Sequence, residues 1–212
     1  MLLRSSSLNE NAEDFAPRAF KSSEVLNRRR ALLNAGAANM APLNGYVQRL
    51  RAQRPDWYVP DFDPASGGID SKILFLFEKP GPKTVDSGFL SINNDDPTAA
   101  ATYQFLSQRG LPSNVCLFAN VIPWWDGVRK ISSEQRMLAT DAVIELLGLL
   151  PRLKGIVLVG RTAQRTWKRI GVPVKKDIMI FESFHPSPIV RAHYRERWEQ
   201  IPHSWPDQTI LP

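Results

Sequence analysis

Four short apolar runs punctuate an otherwise mixed chain: Lys72–Phe77 (KILFLF), Val115–Val121 (VCLFANV), Gly155–Gly160 (GIVLVG) and Asp177–Ser183 (DIMIFES). Each is of strand length and continuous rather than alternating, the pattern of strands covered on both faces. Around them the apolar spacing becomes helical, over Thr98–Arg109, Ser133–Leu150, Thr162–Ile170 and Val190–Gln200. Ser133 reads as an N-cap, followed by an apolar stripe of Leu138, Val143, Leu146 and Leu147. Strands alternating with helices predict an α/β fold, a three-layer α/β/α sandwich around a short central parallel sheet of about four strands. Ligands of such sheets sit beyond the carboxyl ends of the strands.

The segment before the first strand has a different character. Residues 1–20 are polar, with few large apolar groups, and read as a flexible lead-in. Residues 21–57 read as a basic helical N-terminal arm carrying Arg28, Arg29, Arg30, Arg49, Arg51 and Arg54. These arginines suit either a solvated helical face or an arm against phosphates. The stretch from 55 to 70 is rich in Pro, Gly and Asp and reads as a loop, and residues 58–212 form the expected catalytic domain.

Composition narrows the function classes. A chain of 212 residues buries roughly 70% of its unfolded surface and needs no disulfide or metal for a core. Cys116 is the single cysteine, which excludes an internal disulfide and a multi-cysteine zinc or iron–sulfur site held by this chain alone. No apolar run is long enough to span a membrane, and the first residues lack the apolar stretch of a signal peptide. The expectation is a cytoplasmic monomer with no membrane partner. A formal net charge of +6 favours a polyanionic partner such as single- or double-stranded DNA.

Chemistry gathers after the strands. The first runs into Glu78-Lys79-Pro80-Gly81-Pro82 and the second into Asn120-Val121-Ile122-Pro123-Trp124-Trp125. The third runs into Gly160-Arg161-Thr162 and the fourth into His185-Pro186-Ser187-Pro188. The carboxyl-end rule brings a carboxylate, a carboxamide, an imidazole and aromatics into one cleft. The chain has no GxxxxGK phosphate loop and no His/Cys/Asp cluster at metal spacing, so neither metal nor organic cofactor is expected.

These segments resemble the uracil-DNA glycosylase superfamily over roughly residues 58–200. FEKPGP resembles its water-activating motif and HPSPIVR the motif that ends its catalytic core. NVIPWW stands where the family places a base-reading asparagine, and SGFLSINNDDPTA where it places a base-stacking aromatic. The resemblance implies a cofactor-free glycosylase that flips a base from DNA and hydrolyses its N-glycosidic bond, with uracil repair as the family's usual role.

On that reading Glu78 and His185 are the catalytic pair. Ionised Glu78 orients water and stabilises the sugar cation. His185 donates to the base oxygen as negative charge grows there, and a neutral imidazole suffices. Asn120 reads the pyrimidine edge or satisfies a turn. Phe89 stacks on the base or packs in the core, and Phe77 lines the base pocket. Lys79, Arg161, Ser187, Ile189 and Arg191 are the expected DNA contacts, with Ile189 and Val190 either wedging into the duplex or packing on the core. Trp124 and Trp125 read first as core packing.

Three features depart from the family pattern. One cysteine cannot supply the iron–sulfur cluster of thermophile-type members, Phe77 and Lys79 replace small residues of the catalytic loop, and the basic N-terminal segment has no counterpart in a minimal core. The altered loop opens a second possibility, a bulkier modified base in foreign DNA and a defence role. Lys79 raises a third, a Schiff base that nicks the strand. A non-catalytic DNA-binding module is the rival from outside enzymology.

Overall fold

The computed structural model describes residues 16–211 and is α/β. Four parallel strands form its sheet: β2 (Ile73–Phe77), β4 (Cys116–Asn120), β5 (Gly155–Val159) and β6 (Met179–Ser183), in the order β4-β2-β5-β6. A second, two-stranded parallel sheet pairs β1 (Asp61–Phe62) with β3 (Phe89–Leu90). The four apolar runs of the sequence are thus the four strands of the larger sheet. β1 lies inside the stretch expected to be loop, being too short to leave a periodic signal.

Successive residues of the strands face opposite layers. Leu74, Leu76, Leu117, Ala119, Ile156 and Leu158 enter one core. It is covered by α2 (Ala41–Gln53), α5 (Ser133–Gly148) and α6 (Arg161–Ile170). Ile73, Phe75, Cys116, Phe118, Val157 and Val159 enter the other, under α4 (Pro97–Gln108) and α8 (Arg195–His203). Burial on both faces explains why β2, β4 and β5 are apolar apart from Asn120 at the end of β4. β4 and β6 are the edge strands, and Met179 and Ile180 on β6 are exposed.

Two helix boundaries differ from expectation for capping reasons. Ser132 rather than Ser133 caps α5, in a capping box with Gln135. The expected last helix is split into α7 (Pro188–His193) and α8 by Tyr194, whose backbone (φ −138°, ψ 64°) leaves the helical region.

The basic segment is not an appended arm. It folds as α1 (Ser23–Ala35) and α2, separated at Gly36, whose left-handed backbone ends α1. Leu43, Tyr46, Val47 and Leu50 of α2 are core residues. The arginines turn inward or pair along the surface. Arg29 donates to Asp63 at 2.5 Å with both side chains buried, and Arg51 holds the Val59 carbonyl and Asp61. Arg49 pairs with Glu145, while Arg54 pairs with Asp56 and Glu134 and lies over the Trp57 ring. Arg28 pairs with Glu24, and Arg30 reaches the Ser87 carbonyl. Arg29 and Arg51 are thus held inside the fold, while Arg28 and Arg49 form exposed pairs. Of the expected lead-in, residues 1–15 lie outside the described residues, and Phe20 is buried against Phe89.

The buried Arg29–Asp63 pair gives a direct test. Asp63→Ala removes the carboxylate that serves both Arg29 and the Ser91 hydroxyl. Breaking a buried pair costs about 3–5 kcal/mol. Urea denaturation should show a loss of that order, and a loss below about 1 kcal/mol would mean that α1 is not anchored through this pair.

Candidate functional site

The direction of chain progression decides where a cleft opens. From β2 the chain crosses to β4 on one side, and from β5 it crosses to β6 on the other. The strand ends at β2 and β5 are therefore a switch point, the place where parallel sheets leave a crevice. Beside it, beyond the carboxyl ends of β2 and β4, opens a cleft of about 390 Å³. Phe77, Glu78, Lys79, Asn120, Trp125 and His185 line it, together with the loop from Leu90 to Asp96 and Arg129.

Each chemical group is held by backbone pairing. The β2–β4 ladder continues past the strands, with Val121 N–H donating to the Phe77 carbonyl and Ile122 N–H to that of Glu78. Glu78 is half-buried, and its pKa is raised by desolvation. A hydrogen bond with Thr162 and the Lys79 charge offset part of that rise. Asn120 pairs in register with Phe77, is buried, and its Oδ1 has no hydrogen-bond partner.

His185 is seated by a close approach. Gly160 has φ +89°, and a Cβ there would lie 3.0 Å from the His185 Cβ and 3.3 Å from its Cδ2. The Gly160 N–H and the Gln164 side chain both donate to the Ser183 carbonyl, at 2.8 Å each. Trp205 donates to the Ser183 hydroxyl at 2.8 Å. The imidazole meets Phe77 edge-on at 5.9 Å. Although His185 keeps some surface toward the cleft, desolvation lowers its pKa to about 4, so the ring is neutral near pH 7.

Several expectations require correction. Phe89 does not face the cleft: it is 2% exposed and packs on Phe20, with centroids 5.8 Å apart. Its neighbour Leu90 lines the cleft instead, because adjacent strand residues point to opposite sides. Lys79 touches the cleft, but its amine is not a phosphate contact. That amine donates to Asp126 at 2.5 Å, the Val128 carbonyl at 2.9 Å and Gln135 at 3.1 Å, with the side chain 3% exposed. A thrice-bonded ammonium is also a poor Schiff-base nucleophile. The tryptophans divide: Trp124 is fully buried and donates to the Leu50 carbonyl, whereas Trp125 is a cleft wall.

The remaining expected contacts lie outside the cleft. Ser187 caps α7 by accepting from the Val190 N–H. Ile189 is 67% exposed in the first turn of α7, so it does not pack on the core, whereas Val190 packs partly against the second core. Arg191 sits over the Trp198 ring at 5.6 Å, and Arg161 is exposed at the start of α6. Asn94, inside the SGFLSINNDDPTA segment but not singled out by it, and Arg129, outside every motif, also line the cleft. Among the described residues no three His, Cys, Asp or Glu side chains group as a metal site.

No family model matches the chain, and no curated protein matches it.

The depressed His185 pKa has a thermodynamic consequence. The unfolded chain takes up a proton between about pH 6.5 and 4 that the folded chain refuses, so folding stability falls as pH drops through that window. The loss summed over that window should amount to about 3 kcal/mol, and this contribution should be absent in His185→Gln, read by denaturation at each pH. An unchanged slope in the variant would contradict a neutral buried imidazole. For Lys79, borohydride should trap no covalent adduct with DNA, and a trapped adduct would restore the Schiff-base reading.

Proposed function

We propose that the protein is a DNA glycosylase that takes an extruded pyrimidine-type base into this cleft and hydrolyses its N-glycosidic bond with water, leaving an abasic site. The fold on this reading is that of the uracil-DNA glycosylase superfamily. One observation carries the proposal: half-buried Glu78, neutral His185 and a buried carboxamide at Asn120 line one cleft at the carboxyl edge of one sheet.

Cleavage develops positive charge on the sugar and negative charge on the departing base. His185, neutral, donates its one ring N–H to the base oxygen, the preorganised donor that such a leaving group needs. Glu78, ionised, orients water toward the sugar and stabilises its cation. Its raised pKa moves it toward neutrality, where a general base works best. Asn120 offers one acceptor and one amide donor to the base edge. Leu90, Phe77 and Trp125 supply apolar walls for the ring. Ile189, bare in the first turn of α7, suits an apolar wedge that fills the place of the flipped base.

The size of the cleft favours a second reading of the same chemistry. About 390 Å³ falls in the range of drug-sized ligand pockets, roomier than a bare pyrimidine ring demands. A bulkier modified base, as foreign DNA can carry, fits that volume and gives the enzyme a defence role rather than uracil repair.

A gel assay for alkali-labile sites tests the reading, with oligonucleotides bearing uracil, mismatched thymine and modified cytosines. Wild-type protein should cut at one of these, and Glu78→Gln should lose at least about a hundredfold in rate while keeping its DNA affinity. The acid limb of the rate profile should follow Glu78, with activity falling as pH drops through a pKa above the ordinary glutamate value. DNA binding without cleavage of any substrate would make the protein a binding module instead.

A further inference from the structure

The cleft wall contains a second carboxamide whose orientation is fixed. Among the described residues four buried side-chain atoms lack a hydrogen-bond partner, and two of these belong to the cleft: Oδ1 of Asn120 and Oδ1 of Asn94. Asn94 is 3% exposed. Its Nδ2 donates to the Phe89 carbonyl at 3.0 Å. Turning the amide over would set its oxygen against that carbonyl, so the unpartnered atom is an acceptor and stays one.

The loop that carries Asn94 is pinned from behind. The Ser91 hydroxyl donates to Asp63, which Arg29 of α1 also holds, and it accepts from the Asn93 N–H at 3.0 Å. The Phe20 N–H donates to the Asn93 carbonyl at 2.9 Å, and the Asn93 side chain donates to the Ala16 carbonyl at 2.9 Å. Asn94 therefore cannot swing away to find water without disturbing α1 and the segment before it.

A buried acceptor left unmatched costs free energy that a matching donor on a ligand recovers. Building on the glycosylase reading, we propose that Asn94 is a specificity-determining residue that accepts a hydrogen bond from a second donor on the bound base. The cleft then presents two acceptors, at Asn94 and Asn120. Uracil joined through N1 has a single N–H and can satisfy only one of them. A pyrimidine with an exocyclic amine has two N–H groups on that amine, so the cleft selects the 4-amino class over the 4-oxo class.

Binding of 1-methylcytosine and 1-methyluracil, whose N1 is blocked as it is in a nucleotide, measured by isothermal titration or ligand-observed NMR, tests this without relying on turnover. Wild-type protein should favour cytosine by on the order of tenfold, the worth of one such hydrogen bond. Asn94→Leu, which keeps the volume and removes the acceptor, should bring the ratio close to one. Asn94→Ala should do the same and serves if the leucine variant does not fold. A wild-type preference that survives both substitutions, or a wild type that favours uracil, would overturn the role of Asn94. A cytosine preference lost in the variants, with no alkali-labile site formed in any DNA, would uphold Asn94 as the reader while overturning the glycosylase reaction. Binding of neither base by the wild type would overturn both.

Discussion

The seating of the His185 segment against Gly160 is the contact on which the cleft's geometry depends. A side chain at Gly160 would meet the imidazole carbons, and its left-handed backbone disfavours any residue with a Cβ. Only glycine lets the end of β5 and the segment after β6 approach this closely. That approach carries His185 to the edge where β2 and β4 deliver Glu78 and Asn120. The chemistry then follows from position: the protein around the imidazole keeps it neutral, and the same edge desolvates the Glu78 carboxylate.

The parallel sheet makes such a meeting possible. Because its strands run one way, all four carboxyl ends lie along one edge, and apolar burial of both faces leaves that edge for polar groups. The cleft opens beyond the ends of β2 and β4, closed on one side by the loop from Leu90 to Asp96. Behind it, α1 and α2 stiffen the frame. Through Arg29 and Asp63, α1 reaches Ser91 and so the loop that forms one wall. Much of the positive charge of the N-terminal segment is paired with carboxylates of the same chain.

What the sequence makes legible is what burial and strand ends dictate locally. Continuous apolar runs mark β2, β4, β5 and β6, and the residues just after them include Glu78, Asn120 and His185. Misreadings arise where a partner lies far along the chain. Lys79 looks like a phosphate contact until Asp126 and Gln135 fold over it, and Arg29 looks like a surface cation until Asp63 meets it. Phe89 illustrates a different limit. Within a two-residue strand nothing local tells which of Phe89 and Leu90 faces the cleft, and pairing of β1 with β3 decides it. Asn94 sits inside a motif segment, yet nothing there singles it out, because its significance is a missing partner, which only packing reveals.

The central claim is that this cleft breaks a glycosidic bond, and the most direct measurement is the base itself. Wild-type protein incubated with DNA from diverse sources, natural and modified, should release a free base into the small-molecule fraction, detected by mass spectrometry. The amount should match one-to-one the abasic sites left in the DNA, with neither appearing for Glu78→Gln. Saturated protein–DNA complexes that release no free base from any source would contradict the account.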